Sequence, residues 1–167
     1  MNKPPFDIFP NIIGDKISLR KIQTSDIKKL IEISFYNSIQ ATTLIQAIEN
    51  EEKINNDYNY GNSIHWGIAD KLTNKIIGTC GYYRGLDKEE GELSCVLLPQ
   101  FRGQGFMTAA MRLAIDFGIN NMKLKRIWAI TTIQNIKAIK LLERLNFLKI
   151  SDFKNNEIEF EIRQNIV

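Results

Sequence analysis

The sequence predicts a mixed α/β fold with helices layered on one sheet, and three observations lead there. Strand-like alternation and helix-like spacing take turns along the chain, in the order strand, two helices, three strands, helix, strand, helix, two strands. The 167 residues are 44% apolar, enough chain to bury a sizeable core. There is no internal repeat, Pro/Gly-rich linker or break in composition, so residues 1–167 read as a single domain.

Each element has its own signal. Residues 16–20 alternate like a short strand. Thr24 or Ser25 then offers a helix cap, with Asp26 in the first turn where the helix dipole favours an acid, and Ile27, Leu30, Ile31 and Ser34 follow at helical spacing. Ser38 predicts the cap of a second helix, with Ala41, Leu44, Ile45 and Ile48 on one face. Residues 51–63, rich in Asn and carrying Tyr58 and Tyr60, read as a polar loop. Two strands, 64–69 and 76–83, flank a turn-like segment and suggest a hairpin. An acidic loop leads into a strand from Glu92 that Pro99, lacking an amide hydrogen, should end. From Gly105 the period becomes helical, with Met107, Ala110, Met111, Ala114 and Phe117 on one face and Gly118 or Asn120–Asn121 as stops. A strand at 126–131, a helix at 135–145 with Ala138, Leu141, Leu142 and Leu145 inward, and strands near 147–151 and 157–163 close the chain.

Composition removes several classes of chemistry. The 22 basic and 19 acidic residues leave a net charge of +3, and the basic residues are scattered, so no nucleic-acid footprint is expected. No stretch approaches the ~20 apolar residues of a membrane helix, and the N-terminus lacks the apolar run of a signal peptide, so a cytoplasmic protein is expected. Cys80 and Cys95 are too few for a thiolate metal site and sit in apolar strand-like runs, which predicts reduced, buried, inert thiols. His65, the one histidine, lies in an alternating strand and is expected to be structural or solvent-facing; alone it argues against a Ser-His-Asp triad and a transition-metal site.

The informative segment is residues 97–107, where a strand enters a loop with Gly103 and Gly105 and a helix begins at once. Glycines let backbone approach a ligand closely, the first helical turn has amides without internal partners, and the dipole favours an anion. The loop is therefore a candidate pyrophosphate cradle. It is not a Walker loop, which needs Gly-Lys-Ser/Thr, nor a Rossmann fingerprint, since Thr108 stands at the third glycine position. A plain strand-to-helix turn without ligand is the alternative.

Gln100-x-x-Gly103-x-Gly105 matches the acetyl-CoA loop pattern Arg/Gln-x-x-Gly-x-Gly/Ala of the GNAT acetyltransferases. Residues 92–110 resemble the subgroup that acetylates ribosomal-protein N-termini. Leu19-Arg20 with Asp26, Trp66-Gly67-Ile68 with Ile77-Gly78-Thr79, and Asn135 to Phe147 resemble three further segments of that subgroup, in order and at family spacing over residues 6–163.

The resemblance implies a GNAT fold: a mixed, mostly antiparallel sheet of six or seven strands, splayed between the fourth and fifth and flanked by about four helices. It implies direct transfer of acetyl from acetyl-CoA to a primary amine, on a protein N-terminus or a small molecule, without a metal. Backbone groups of Val96, Leu97 and Leu98 would meet the pantothenate arm, and the loop of Gln100, Phe101, Arg102, Gly103, Gln104, Gly105, Phe106 and Met107 would hold the pyrophosphate. Asn135 matches the Asn that contacts the cofactor arm, and is equally placed to cap a helix. Glu92 matches the strand acid that takes the amine's proton; its alternative is an exposed acid continuing the run 87–90. Glu51, Glu52, Glu89 and Glu90 could draw a cationic acceptor or be solvated acids. The family's Ser and Tyr proton donors fall on Ala138 and Leu142, so neither is present. That loss keeps a non-catalytic acyl-CoA-binding module as the second expectation. No nucleic acid or membrane partner is implied, and a monomer or homodimer is compatible with the sequence.

Overall fold

The computed structural model describes residues 1–153 and 155–163. Its strands are β1 (Ile12–Ile13), β2 (Ile17–Arg20), β3 (Phe35–Tyr36), β4 (Ile39–Gln40), β5 (Ile64–Asp70), β6 (Ile76–Tyr82), β7 (Glu90–Leu97), β8 (Arg126–Thr132), β9 (Leu148–Asp152) and β10 (Glu157–Arg163). The helices are α1 (Thr24–Leu30), α2 (Leu44–Asn59), α3 (Phe106–Phe117) and α4 (Ile136–Arg144). Eight strands form one sheet in the order β1-β2-β5-β6-β7-β8-β10-β9, while β3 and β4 pair separately. The sheet exceeds the expected six or seven strands because Ile12 and Ile13 fold back on Leu19 and Ser18.

Period-two alternation sorts the sheet into two faces. Trp66, Leu93 and Leu97 point into the large core with Ala110, Met111 and Ala114 of α3 and Leu142 of α4. A smaller cluster on α1 and α2 joins Ile27, Leu30 and Ala47 to Ile76 and Leu98. Trp66 is fully buried, and its indole Nε1 donates to the Pro10 carbonyl at 3.0 Å, which ties the N-terminal segment to β5.

The pairing that positions the site is β7–β8, the one parallel pair among the described residues. It covers only Glu90↔Arg126, Gly91↔Ile127 and Glu92↔Trp128. Beyond Glu92 the strands part: β7 stays with β6 and β8 with β10. This is the expected splay. Arg126 stands at its base, donating to Glu90 of β7 at 3.1 Å and to Glu159 and Glu161 of β10, with its guanidinium over the Trp128 ring.

Three expectations are corrected. Residues 51–63 are not a loop: α2 runs to Asn59, capped by Thr43 rather than Ser38, and Ser38 lies between β3 and β4. The inward stripe of α2 includes Asn50, Glu51 and Asp57, so the apolar period that marks a helix fades there. The first helix is capped by Gln23 instead of Thr24 or Ser25, with Asp26 accepting from the Gln23 amide at 2.9 Å and from Arg20 at 2.7 Å. Cys80 and Cys95 are not two separate, isolated thiols: the β6–β7 register sets them directly opposite with Cα atoms 4.1 Å apart and brings their sulfurs into contact. A non-hydrogen-bonded antiparallel pair is where two strands approach most closely, which sequence spacing does not reveal.

Candidate active site

The loop after β7 has the form of an anion cradle. Gly103 and Gly105 have φ of +77° and +84°, a region costing other residues about 1–2 kcal/mol, and a Cβ on either would point into open space. Residues before them build the frame. The Phe101 amide donates to the Leu98 carbonyl at 3.0 Å and the Arg102 amide to the Pro99 carbonyl at 3.2 Å. Arg102 Nε reaches back to the Leu97 carbonyl at 3.1 Å, and Gln104 Nε2 donates to the Gln100 carbonyl at 3.0 Å. Past that frame, the amides of residues 103–108 donate to no acceptor within the described residues. Arg102 thus holds the loop with its amide rather than offering it, and Thr108, which the sequence pattern did not flag, extends the open run into the first turn of α3.

The edge of β7 facing the parting is set by register. Leu98 donates its amide to Ile77 at 3.0 Å, so ladder alternation turns the polar groups of Val96 and Leu98 toward β6. Those facing β8 belong to Cys95 and Leu97. Of the three residues expected to offer backbone to a cofactor arm, Leu97 has its polar groups on the edge facing the parting, whereas those of Val96 and Leu98 face β6; sequence gives a strand's extent before its hydrogen-bonding phase.

Asn135 caps α4, its Oδ1 accepting from the Ala138 amide at 3.2 Å, while its side-chain amide nitrogen has no partner among the described residues. Leu142 is 4% exposed in the core. Neither Ala138 nor Leu142 can donate a proton.

On the other face of β5–β7 lies a cavity of about 520 Å³. Its polar wall carries Glu92 and Ser94 of β7, His65 of β5, Tyr83 after β6, and Glu51 and Asp57 of α2; Ile22, Ile27, Leu30 and Ile54 supply apolar wall. Glu92 does face this cavity, with Arg84 on both its carboxylate oxygens, Nη2 to Oε1 at 2.9 Å and Nε to Oε2. Burial pushes the Glu51 carboxyl up to about 7, against smaller downward pulls from Asn55 and Lys21. Burial also holds the His65 imidazole down at about 4, leaving it neutral. The Tyr83 phenol, edge-on to His65 with ring centroids 5.4 Å apart, is raised by burial and by the Glu51 and Glu92 carboxylates. Glu89 and Glu90 are not acceptor-facing; they pair with Lys125 and Arg126.

Residues 16–148 match the model of the Acetyltransferase (GNAT) domain. The chain belongs to the GNAT acetyltransferase family. It is 32% identical over 144 residues to the uncharacterized N-acetyltransferase p20 of Bacillus licheniformis, covering 81% of this chain and 80% of that one. It is 25% identical over 150 residues to the uncharacterized N-acetyltransferase YoaA of Bacillus subtilis, covering 85% of each. Among solved structures it resembles RimL, a ribosomal L7/L12 α-N-protein acetyltransferase in complex with coenzyme A, with TM-score 0.83, 12% identity, and coverage of 95% of this chain and 100% of that one. At such identity that likeness concerns the fold. The GNAT protein is an acetyl-CoA-dependent N-acetyltransferase acting on amines, and nothing in these relatives supports a non-catalytic module. No helix among the described residues is long and apolar enough to cross a membrane.

Proposed function

We propose that acetyl-CoA lies in the parting between β7 and β8 and that a positively charged primary amine reaches its thioester from the cavity on the opposite face of β7. The observation that carries this is β7 itself. Its backbone at Cys95 and Leu97 borders the parting, while the side chains of Glu92, Ser94 and Val96 line the cavity, so one strand separates the two compartments. The amides of residues 103–108 would hold the pyrophosphate, helped by the α3 dipole, and the free side-chain nitrogen of Asn135 would meet the cofactor arm.

The preference for a charged amine rests on the wall, where Glu51, Asp57 and Glu92 outnumber Arg84. In a partly apolar cavity, unbalanced carboxylates favour an ammonium over a neutral molecule. Glu92, fixed by Arg84, would orient the incoming amine. A protein N-terminus and an aliphatic polyamine both fit that description. The relatives include spermidine N(1)-acetyltransferase of Escherichia coli, matched over 56 residues or 34% of this chain at 32% identity.

The test is release of CoA thiol from acetyl-CoA with spermidine, a Ser-initiated peptide and an aminoglycoside as acceptors, on the wild type and Gly105→Glu. Turnover with at least one amine, and loss of acetyl-CoA binding in the variant, are expected. The introduced carboxylate would meet the phosphates; a Cβ at position 105 meets open space but carries the strain of a positive φ, which Gly105→Ala shares and so controls for. Retained binding would remove the cradle from the account.

A further inference from the structure

Among the described residues, the buried side-chain polar atoms without a hydrogen-bond partner are Ser63 Oγ and both ring nitrogens of His65, and all three belong to residues lining the amine cavity. Buried polar groups are almost always paired, because leaving one unpaired costs about 1–3 kcal/mol. Here the unpaired atoms gather on the wall that also holds Glu51. That carboxylate has only a long contact from Asn55 Nδ2, 3.5 Å, as a hydrogen bond. Glu92, by contrast, has both oxygens engaged by Arg84.

We propose that Glu51 is the proton acceptor for the amine and that Ser63 and His65 hold the amine nitrogen, directly or through a water, while it is deprotonated. This rests on the reading above, in which the cavity receives the acceptor. A neutral imidazole has one donor and one acceptor nitrogen, so His65 can take an N–H of the amine and give one to a water or to the acceptor chain. The proton balance closes. The ammonium gives one proton to Glu51, which passes it to solvent. The freed lone pair forms the C–N bond at the thioester carbonyl, and the C–S bond breaks with its electrons leaving on sulfur. The second N–H proton, acidified once nitrogen is bonded to the carbonyl carbon, ends on the CoA thiolate. That route needs no Ser at Ala138 and no Tyr at Leu142.

Several charged or titratable groups surround Glu51. Lys21 and Asp26 act on it from the segment after β2 and from α1. His65 of β5, Tyr83, Arg84 and Glu92 share its cavity, and Tyr36 of β3 donates to Asp57 of α2 at 3.1 Å. Burial raises Glu51 until its two forms are both populated near neutral pH, where a base is most effective.

The experiment measures kcat/KM against pH from 5.5 to 9.5, using the amine of the panel that the wild type acetylates fastest, for the wild type, Glu51→Gln, His65→Phe and Glu52→Gln. Glu52 is exposed on α2 and outside the cavity wall, and serves as the control. Wild type and Glu52→Gln should rise with a midpoint near pH 7 to a plateau about one pH unit higher. Glu51→Gln should fall at least about 100-fold at pH 7 and then climb about tenfold per pH unit toward the amine's own pKa, because only pre-deprotonated amine reacts. His65→Phe should keep the wild-type pH profile with a raised amine KM and an unchanged KM for acetyl-CoA. A Glu51→Gln profile parallel to the wild type would overturn the assignment of the base, leaving the cavity as the acceptor site. An unchanged amine KM in His65→Phe would overturn the holding role. No turnover by the wild type on any amine would sink this proposal together with the acceptor reading.

Discussion

At the scale of single residues, Glu51 and His65 share a cavity wall and titrate in opposite directions for one reason: burial disfavours the charged form of each. The consequences for stability have opposite signs. Glu51 is raised from an ordinary 4.5 to about 7, so the folded chain binds more protons than the unfolded one in that window and stability falls as pH rises through it. His65 is lowered from 6.5 to about 4, so its neutral, buried form favours the fold above 6.5 and this contribution is lost as pH falls toward 4. Glu51→Gln should therefore melt higher than the wild type at pH 8, with the difference shrinking as pH drops through 7 toward 4.5. Thermal melts across pH read this directly, and a pH-independent difference would contradict it. A substitution that stabilises the fold while slowing the enzyme is what a functional buried carboxylate predicts. Little of this was legible in the sequence, where Glu51 was one acid in a polar run and His65 one residue of an alternating strand. Their meaning comes from α2 lying across β5, a tertiary fact without a local pattern.

At the scale of elements, the cradle was legible and its register was not. Gly103 and Gly105 require positive φ, and their spacing before an apolar helical period announced the loop. The phase of the β7 ladder, which sends Val96 and Leu98 toward β6, depends on how β6 and β7 pair. The length of α2 was missed for a related reason. Polar residues on its inward stripe line the cavity and erase the amphipathic signal, so sequence rules failed along the cavity wall. The parting has its own anchor in Arg126, which ties Glu90 of β7 to Glu159 and Glu161 of β10. Its side chain is 17% exposed, so removing it leaves partly buried carboxylates without their partner. Arg126→Gln should lower stability by about 2–3 kcal/mol in urea titration. Because the base of the splay then loosens, it should raise the KM for acetyl-CoA more than the KM for the amine. Equal stability in urea would mean that this network does not hold the two strands.

At the scale of the whole molecule, the proposed function makes the fold a device for bringing a thioester and an amine together from opposite sides of one strand. The layer order read from the sequence survives, as does the placement of the splay between strands 92–98 and 126–131, now β7 and β8. The eighth strand and the Cys80–Cys95 contact add to that frame without altering it. Neither a metal nor a covalent nucleophile is required by the reaction described. It needs a backbone-lined slot, a cavity that takes a charged amine, and a group to receive its proton. If acetyl-CoA occupies the parting and the loop after β7, residue-resolved amide hydrogen exchange should slow on its addition at the amides of Cys95, Leu97 and residues 103–108, with α2 little changed. Unaltered exchange across residues 103–108 with acetyl-CoA bound would place the cofactor elsewhere.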